Sequence, residues 1–384
     1  MTASRAARSL VADLRRELPD LTDGLAVAAS VRAHDPLAGP GSLLATWELL
    51  RSEVSGVGPL QRLVEDPEVS DVLVNGPGPV WVDRGRGTEL SGVRIDDESS
   101  LRRLAQRLTA SVGRRLDDAC PCADVVLCDG TRVHAVLPPV AVQGTTLSLR
   151  VPPRRTFHIE ELVQRRTMPR AGADLLSRLV ERRVSFVVSG GTGTGKTTLL
   201  SSLLSLVPAA ERIVMVEDAA ELRPDHPHVV RLQTRHDNAE GAGAVAMSTL
   251  VREALRMRPD RIVVGEVRGA EVLDLLTAFN TGHDGGAATI HTNRIEHLPA
   301  RFEALCALAG LTRDAAHSQL AAAVRAVVHV RRRDDGRRQV AGVAVLDTDA
   351  SGRVHAQPAY AFDDGALTPR AAAAALDLLL LPES

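Results

Sequence analysis

The 384-residue sequence is poor in aromatic residues, with five Phe, two Trp and one Tyr. Few rings are available to stack on bases, which disfavours single-stranded nucleic acid as a partner. The chain also lacks a charge excess, because 46 Lys and Arg oppose 48 Asp and Glu to give a net charge of −2. No overall positive field would therefore attract nucleic acid or anionic lipid.

Lysine, cysteine and long apolar runs are scarce as well. Lys196 is the single lysine among the 46 basic residues. Four cysteines, and no pattern typical of a signal peptide, predict a reducing cytoplasm. The longest apolar stretch, residues 371–381, is shorter than the ~20 residues that a membrane-spanning helix needs. We therefore expect membrane contact, if there is any, to be peripheral.

The first part of the chain predicts an arm followed by a small domain. Leucines recur at every fourth position between residues 10 and 18, which indicates a helix within an N-terminal arm, residues 1–45. Residues 46–150 combine short strand-like runs with one helical segment, residues 98–112. This mixture predicts a small α/β domain.

The second part predicts a larger domain with a mainly parallel sheet. Two adjacent prolines, Pro152 and Pro153, predict an extended linker over residues 151–156. From residue 157 to 347 apolar strands alternate with helices, the pattern of a parallel sheet that is covered on both faces. An alanine-rich tail, residues 348–384, follows.

Residues 190–198 read GGTGTGKTT and fit the phosphate-loop pattern G-x-x-x-x-G-K-[ST], between an apolar strand and a helix-compatible run. Backbone N–H groups of such a loop converge on an anion at a helix N-terminus, which requires glycine. Lys196 is expected to reach the β- and γ-phosphates and Thr197 to ligate Mg²⁺, so the sequence predicts ATP and Mg²⁺ as ligands. The predicted ATP-binding residues are Gly190, Gly191, Thr192, Gly193, Thr194, Gly195, Lys196, Thr197 and Thr198.

Carboxylates follow two of the predicted strands. Glu217, Asp218 and Glu221 come after residues 213–216, and Glu266 comes after residues 262–265. The carboxyl ends of parallel strands meet at one edge, where α/β sheets place ligands. Each acid alone could be a solvated loop residue, but their shared position predicts a site that holds Mg²⁺ and orients water. The predicted Mg²⁺ ligands are Thr197, Glu217, Asp218 and Glu266, with part of the coordination through water because Gly265 stands where aspartate is common.

Two histidines, His283 and His291, flank another predicted strand. Each alone is more often a hydrogen-bonded structural histidine than a catalytic one. A third ligand at a matching spacing is lacking, which disfavours zinc.

Four motifs in order support a family resemblance. After the phosphate loop the chain reads VEDAAEL at 216–222, ALRMRPDRIVVGEVRG at 254–269 and TGHDGGAATIHTN at 281–293. Together they resemble the type II/type IV secretion ATPase superfamily, and within it the CpaF-like ATPases of tight-adherence pilus assembly. The resemblance extends from about residue 56 to about residue 330. It implies a RecA-like P-loop NTPase domain with a mainly parallel sheet, preceded by a smaller α/β domain.

The resemblance also implies roles for individual residues. Glu221 matches the base that activates water, and Glu266 matches the Walker B glutamate. His283 and His291 match the histidine box, which senses or relays nucleotide state, and with Lys196 these residues form the expected catalytic set. Members of the superfamily are hexamers in which arginines complete a neighbour's site. The candidates for such arginines in this chain are Arg132, Arg150, Arg235, Arg256 and Arg268.

We therefore expect a cytoplasmic, hexameric ATPase that drives pilus assembly or protein secretion through platform proteins at the cytoplasmic face of the inner membrane. No nucleic acid is expected as a partner. The alternative is a nucleic-acid motor, such as a ring helicase or a conjugative DNA transporter, although the aromatic-poor and slightly acidic composition disfavours it. A nucleotide-binding scaffold without turnover is a third reading.

Overall fold

The computed structural model of the chain describes residues 56–85, 87–152, 155–235, 242–363 and 365–382. It divides the chain into two compact units, Met1–Pro152 and Pro153–Ser384. The division falls between the two adjacent prolines of the predicted linker. The predicted arm, residues 1–45, lies outside the described residues.

The first unit contains a six-stranded antiparallel sheet and one long helix. Its strands are β1 (Asp71–Asn75), β2 (Gly78–Asp83), β3 (Thr88–Ile95), β4 (Cys122–Val126), β5 (Arg132–Val136) and β6 (Thr146–Arg150), in the order β3-β2-β1-β6-β5-β4. The helices are a 3-10 turn (Gly58–Leu60), α1 (Gln61–Glu65) and α2 (Glu98–Ala110). Asp97 caps α2 by accepting the backbone N–H groups of Ser99 and Ser100. Leu101 and Leu104 of α2 then share one buried core with the inward residues of the strands.

The second unit is built on a nine-stranded sheet. Its strands are β7 (Phe186–Gly190), β8 (Ile213–Glu217), β9 (Val229–Gln233), β10 (Arg261–Val267), β11 (Ala287–His291), β12 (Ala326–Arg332), β13 (Arg338–Thr348), β14 (Val354–Asp363) and β15 (Ala366–Pro369). The order is β15-β14-β13-β12-β7-β11-β10-β8-β9, and the six strands from β12 to β9 are parallel. The predicted mainly parallel sheet is confirmed.

Helices cover both faces of this sheet, because its strand side chains alternate between two apolar cores. Ile213 and Met215 of β8 belong to one core, whereas Val214 and Val216 belong to the other. The first core includes α3 (Ile159–Gln164), α4 (Arg170–Glu181), α5 (Lys196–Leu204) and α10 (Ala373–Leu379). The second includes α6 (Met247–Leu255), α7 (Glu271–Asn280), α8 (Leu298–Leu308) and α9 (Arg313–Ala323), and a 3-10 turn (Ile295–His297) precedes α8.

The structure differs from the predicted boundary at residue 347. β13 continues past it, and β14 and β15 add two antiparallel strands to the same sheet. Phe362 of β14 and Leu376 of α10 are fully buried in the first core. The tail therefore belongs to the second unit. Several of its inward positions, such as Ala356 and Ala359, are alanines, which carry a weak hydrophobic signal.

Candidate nucleotide-binding site

The predicted phosphate loop lies between the buried strand β7 and the helix α5. Gly193 and Gly195 have φ angles of +70° and +94°, which side chains rarely adopt. At Gly190 a Cβ atom would lie 2.3 Å from the Val330 carbonyl oxygen of the neighbouring strand β12. The Thr194 hydroxyl closes the loop by donating to the Gly191 carbonyl oxygen at 2.9 Å. These glycines are therefore required by backbone conformation and by close packing.

Lys196 begins α5 and folds back into the loop. Its Nζ donates to the carbonyl oxygens of Gly190 at 3.1 Å and Gly191 at 2.9 Å. Burial lowers the pKa of the Lys196 ammonium, and the negative charges of Glu266 and Glu221 oppose that shift. The ammonium therefore lies in the loop within electrostatic range of both predicted catalytic carboxylates.

Thr197, the predicted Mg²⁺ ligand, and Glu221, the predicted base, lie close together. The Thr197 hydroxyl lies 3.5 Å from Oε2 of Glu221, although the two residues are 24 positions apart. A small cavity beside this pair is lined also by Thr198, Ser201 and Arg223. The hydroxyl and carboxylate oxygens suit a hard cation such as Mg²⁺.

Glu217 has a different environment. Its Oε1 accepts the backbone N–H groups of Glu221 at 3.0 Å and Leu222 at 2.8 Å. Its Oε2 is buried without a hydrogen-bond partner and lies 3.9 Å from Nη2 of Arg231. Burial raises the pKa of the Glu217 carboxyl to about 7. These contacts differ from the predicted role as a Mg²⁺ ligand: Glu217 holds the turn that carries Glu221.

The structure also shows what Asp218 contacts and why residue 265 is glycine. Oδ1 of Asp218 accepts the Thr234 hydroxyl at 2.7 Å, which engages it with the chain after β9 and not with Thr197. A Cβ atom on Gly265 would lie 2.7 Å from Cγ of Glu217. Glycine therefore replaces the common Walker B aspartate because the buried Glu217 side chain occupies that space.

Glu266 follows Gly265 on β10 and is partly exposed. Its carboxylate accepts a hydrogen bond from Arg268, so this predicted trans arginine pairs within its own chain. Arg268 also lowers the pKa of Lys196 through charge repulsion. Glu266, Arg268, Lys196 and Glu221 thus form one electrostatic cluster at the end of the parallel strands.

The two predicted histidines occupy different positions. His291 ends β11 and is paired in register with Gly190, the first residue of the phosphate loop. His283 lies before β11, and its Nδ1 is 3.3 Å from the Ala278 carbonyl oxygen at the end of α7. The structure therefore places His291 beside the loop, and the contact recorded for His283 is with α7.

The remaining arginine candidates are engaged within the chain. In the first unit Arg132 and Arg150 are cross-strand neighbours that pair with Asp124 and Asp71, respectively. In the second unit the Arg235 side chain donates to the Gly243 carbonyl oxygen at 2.5 Å, and Arg256 pairs with Glu253 on α6. Action on a neighbouring subunit would require these contacts to exchange.

Sequence reasoning missed two groups beside the loop. Nε of Arg338, on β13, donates to the Gly193 carbonyl oxygen at 3.1 Å. Beneath the loop, the Ser189 hydroxyl and Nδ1 of the buried His329 lie 2.9 Å apart. Burial lowers the pKa of His329. Arg338 belongs to an arginine-rich run at residues 331–338, which was the available signal.

No cluster of three or more His, Cys, Asp and Glu side chains suited to a metal ion occurs among the residues that the structure describes. Within those same residues, no helix is both long and apolar enough to span a membrane.

Comparison with known proteins shows the family to which the chain belongs. The profile of the family described as "Type II/IV secretion system protein" matches residues 53–360. The chain belongs to the type II/IV secretion system protein family. A putative conjugal transfer protein of Mycobacterium tuberculosis (strain ATCC 25618 / H37Rv) is 52% identical over 335 residues, which cover 86% of this chain and 95% of that protein.

Two further similarities are more distant. The type IV secretion system protein VirB11 of Brucella suis biovar 1 (strain 1330) is 32% identical over 263 residues, covering 62% of this chain and 73% of that protein. The crystal structure of the pilus retraction motor PilT with bound ADP has a TM-score of 0.53 and 20% identity, covering 83% of this chain and 84% of that one. The last likeness shows the shared fold, which is RecA-like.

Proposed function

We propose that this chain is an ATPase motor that hydrolyses ATP to drive pilus assembly or protein secretion. The observation that carries the proposal is the phosphate loop with Lys196 folded into it and the Thr197–Glu221 pair beside it. Membership of the type II/IV secretion system family supports the coupling to transport. The CpaF-like branch remains our assignment from the sequence motifs.

In this proposal the loop binds the phosphates, and two of its side chains have additional roles. The backbone N–H groups of residues 190–198 bind the phosphates, and Lys196 exchanges its two carbonyl contacts for the β- and γ-phosphates. Thr197 would hold Mg²⁺ through its hydroxyl, with Glu266 reaching it directly or through water. When bound, the ion would neutralise charge that develops on the phosphates.

The carboxylates would act on the attacking water, and the histidines would report whether nucleotide is bound. Glu221 would orient the attacking water and accept its proton, while Glu217 holds the Glu221 backbone in place. His291 is suited to report the occupancy of the loop because it lies beside Gly190. His283 would act with it in relaying that state to a neighbouring subunit.

We further propose a cytoplasmic homo-hexamer that contacts platform proteins at the inner membrane. Arg132 and Arg150, or Arg235, Arg256 and Arg268, would complete the site of a neighbour. A positive charge supplied in this way can be worth about 10³- to 10⁵-fold in rate. Sedimentation with ATP tests the assembly, and a species that stays monomeric at micromolar concentration would remove the basis for arginines acting between subunits.

Phosphate release by the purified protein tests the chemistry. Lys196→Ala should lose nucleotide binding, and Glu221→Gln should bind ATP but release phosphate at least ~100-fold more slowly, as expected for loss of a general base. Glu181→Gln, which changes an exposed acid of α4, is the matched control for charge. Unchanged turnover in both site variants would refute the assigned mechanism.

Transfer of DNA is the second candidate, because the relative with 52% identity is named a putative conjugal transfer protein. The same assay distinguishes it. Stimulation of phosphate release by DNA, together with binding that weakens steeply with salt, would favour a motor that contacts nucleic acid. A rate that is independent of DNA would favour a motor that acts on proteins.

A further inference from the structure

We propose that Arg338 is a positioning residue of the phosphate loop and that it sets the affinity for nucleotide; the inference rests on the proposed ATP site. Nε of Arg338 donates to the Gly193 carbonyl oxygen at 3.1 Å. A Cβ atom at position 195 would lie 3.1 Å from Cδ of Arg338, so the glycine leaves room for the arginine stem. Arg338 thus contacts the loop both through a hydrogen bond and through packing.

Arg338 lies on the hairpin formed by β12 and β13. It is the first residue of β13 and is paired with Arg332 of β12. The connecting turn is closed by a hydrogen bond from the Arg333 N–H to the Arg337 carbonyl oxygen at 2.8 Å. β12 in turn pairs with β7 as far as Val330 and Gly190, where the loop begins. The hairpin and the loop are therefore held by the same sheet.

The contact orients a peptide group of the loop. In a trans peptide the C=O and N–H groups point in opposite directions. Fixing the Gly193 carbonyl oxygen towards Arg338 therefore directs the Thr194 N–H away from it. An N–H group on the side opposite to the guanidinium is available to an anion held by the loop.

The loop needs such a contact because its own bonds change when phosphate binds. Glycines lose more conformational freedom on ordering than other residues, which makes this loop costly to fix. Lys196 contributes two of the side-chain hydrogen bonds to loop carbonyls, and a phosphate bound by the ammonium would compete with both. The Arg338 contact is made to a different carbonyl, that of Gly193, and can persist. The guanidinium also adds positive charge beside the anion.

Binding and turnover of Arg338→Ala test the inference, with Arg337→Ala as the matched control. Arg337 lies on the same hairpin and carries the same charge, but its guanidinium bonds Asp335 at 2.8 and 2.5 Å. We expect the Kd for a fluorescent ADP analogue and the KM for ATP to rise about three- to tenfold in Arg338→Ala, with kcat within about twofold. Arg337→Ala should match the wild type in all three quantities.

A conservative variant separates the contact from the charge. Arg338→Lys keeps the charge and most of the stem but lacks Nε, so it should recover only part of the affinity. Full recovery would overturn the part of the inference that depends on the Nε contact. Unfolding midpoints of the three variants, measured in parallel, should be alike, which makes a lower affinity attributable to the loop.

The outcomes distinguish this inference from the proposed function. If the wild type binds no nucleotide, or if Lys196→Ala binds as well as the wild type, the ATP site itself is refuted and the role of Arg338 falls with it. If the wild type binds and Lys196→Ala does not, but Arg338→Ala and Arg337→Ala have equal affinity, only the role of Arg338 is refuted.

Discussion

Changing Glu217 to glutamine should remove a large pH dependence from the folding stability of the second unit. The Glu217 carboxyl is 3% exposed, and burial raises its pKa from the ordinary 4.5 to about 7. A carboxyl with a raised pKa holds its proton more tightly in the folded chain than in the unfolded chain. Its contribution to stability is therefore present below pH 4.5 and is lost as the pH rises to about 7.

The size of this effect follows from the interval between the two pKa values. At about 1.4 kcal/mol per unit, the wild type should lose about 3 kcal/mol of unfolding free energy between pH 4.5 and pH 8 through this residue. In Glu217→Gln the amide oxygen can still accept the N–H groups of Glu221 and Leu222, but nothing titrates. The amide NH₂ would take the position of Oε2 near Arg231, which shifts stability equally at all pH values.

The test is the difference between the pH profiles of the two proteins. Denaturant unfolding is followed by far-ultraviolet circular dichroism. Tryptophan fluorescence of Trp81, which lies in β2, reports the first unit separately, since residues 153–384 contain no tryptophan. Glu181→Gln, which alters an exposed acid of α4, is the control for charge. Parallel profiles for wild type and Glu217→Gln would refute the reasoning about the buried carboxyl.

Three further substitutions test the packing of the two units, each by denaturant unfolding. Asp97→Ala removes the cap of α2 and should cost about 1 kcal/mol in the first unit, whereas Asp97→Asn should restore most of it. Gly172→Ala places a Cβ atom 2.2 Å from the buried Phe362 ring and should cost about 1–3 kcal/mol; an unchanged midpoint would show that α4 can shift. Arg261→Met leaves Glu211 without its buried partner, which lies 2.6 Å away, and should cost about 3–5 kcal/mol; a much smaller loss would mean that Arg183 compensates.

The sequence predicted most of the parallel part of the second unit because its central strands are buried on both faces. β7 and β8 are short apolar runs in which every residue is buried. Such runs between helices have few alternatives to a parallel sheet. The phosphate loop was equally predictable, since its glycines and its lysine serve a fixed local geometry.

Strands at or next to the edges of the sheets were less predictable. β3 and β9 are partly exposed and lack a continuous apolar run, so their sequences resemble loops. β14 has alanines at inward positions, so the alternation of apolar and polar residues along it is weak. In each case the strand is stabilised by pairing with a neighbour that the local sequence does not reveal.

The division of roles among the carboxylates could not be read from the sequence. Glu217 and Glu221 are four positions apart, but burial separates them: one is enclosed under Gly265, and the other faces Thr197. Arg338 was missed for a related reason, because its contact joins residues 145 positions apart. The local sequence pattern does not indicate which distant residues come into contact.

The position of Lys196 has a consequence for the chemical handling of this protein. It is the single ε-amine in the chain, and its Nζ is bound within the loop. Amine-directed reagents, crosslinkers and acylating enzymes therefore have, apart from the chain terminus, one possible target, and that target is the proposed ATP site. Any lysine modification found on this protein would report directly on the nucleotide-binding loop, and the degree of labelling would measure how often that loop opens.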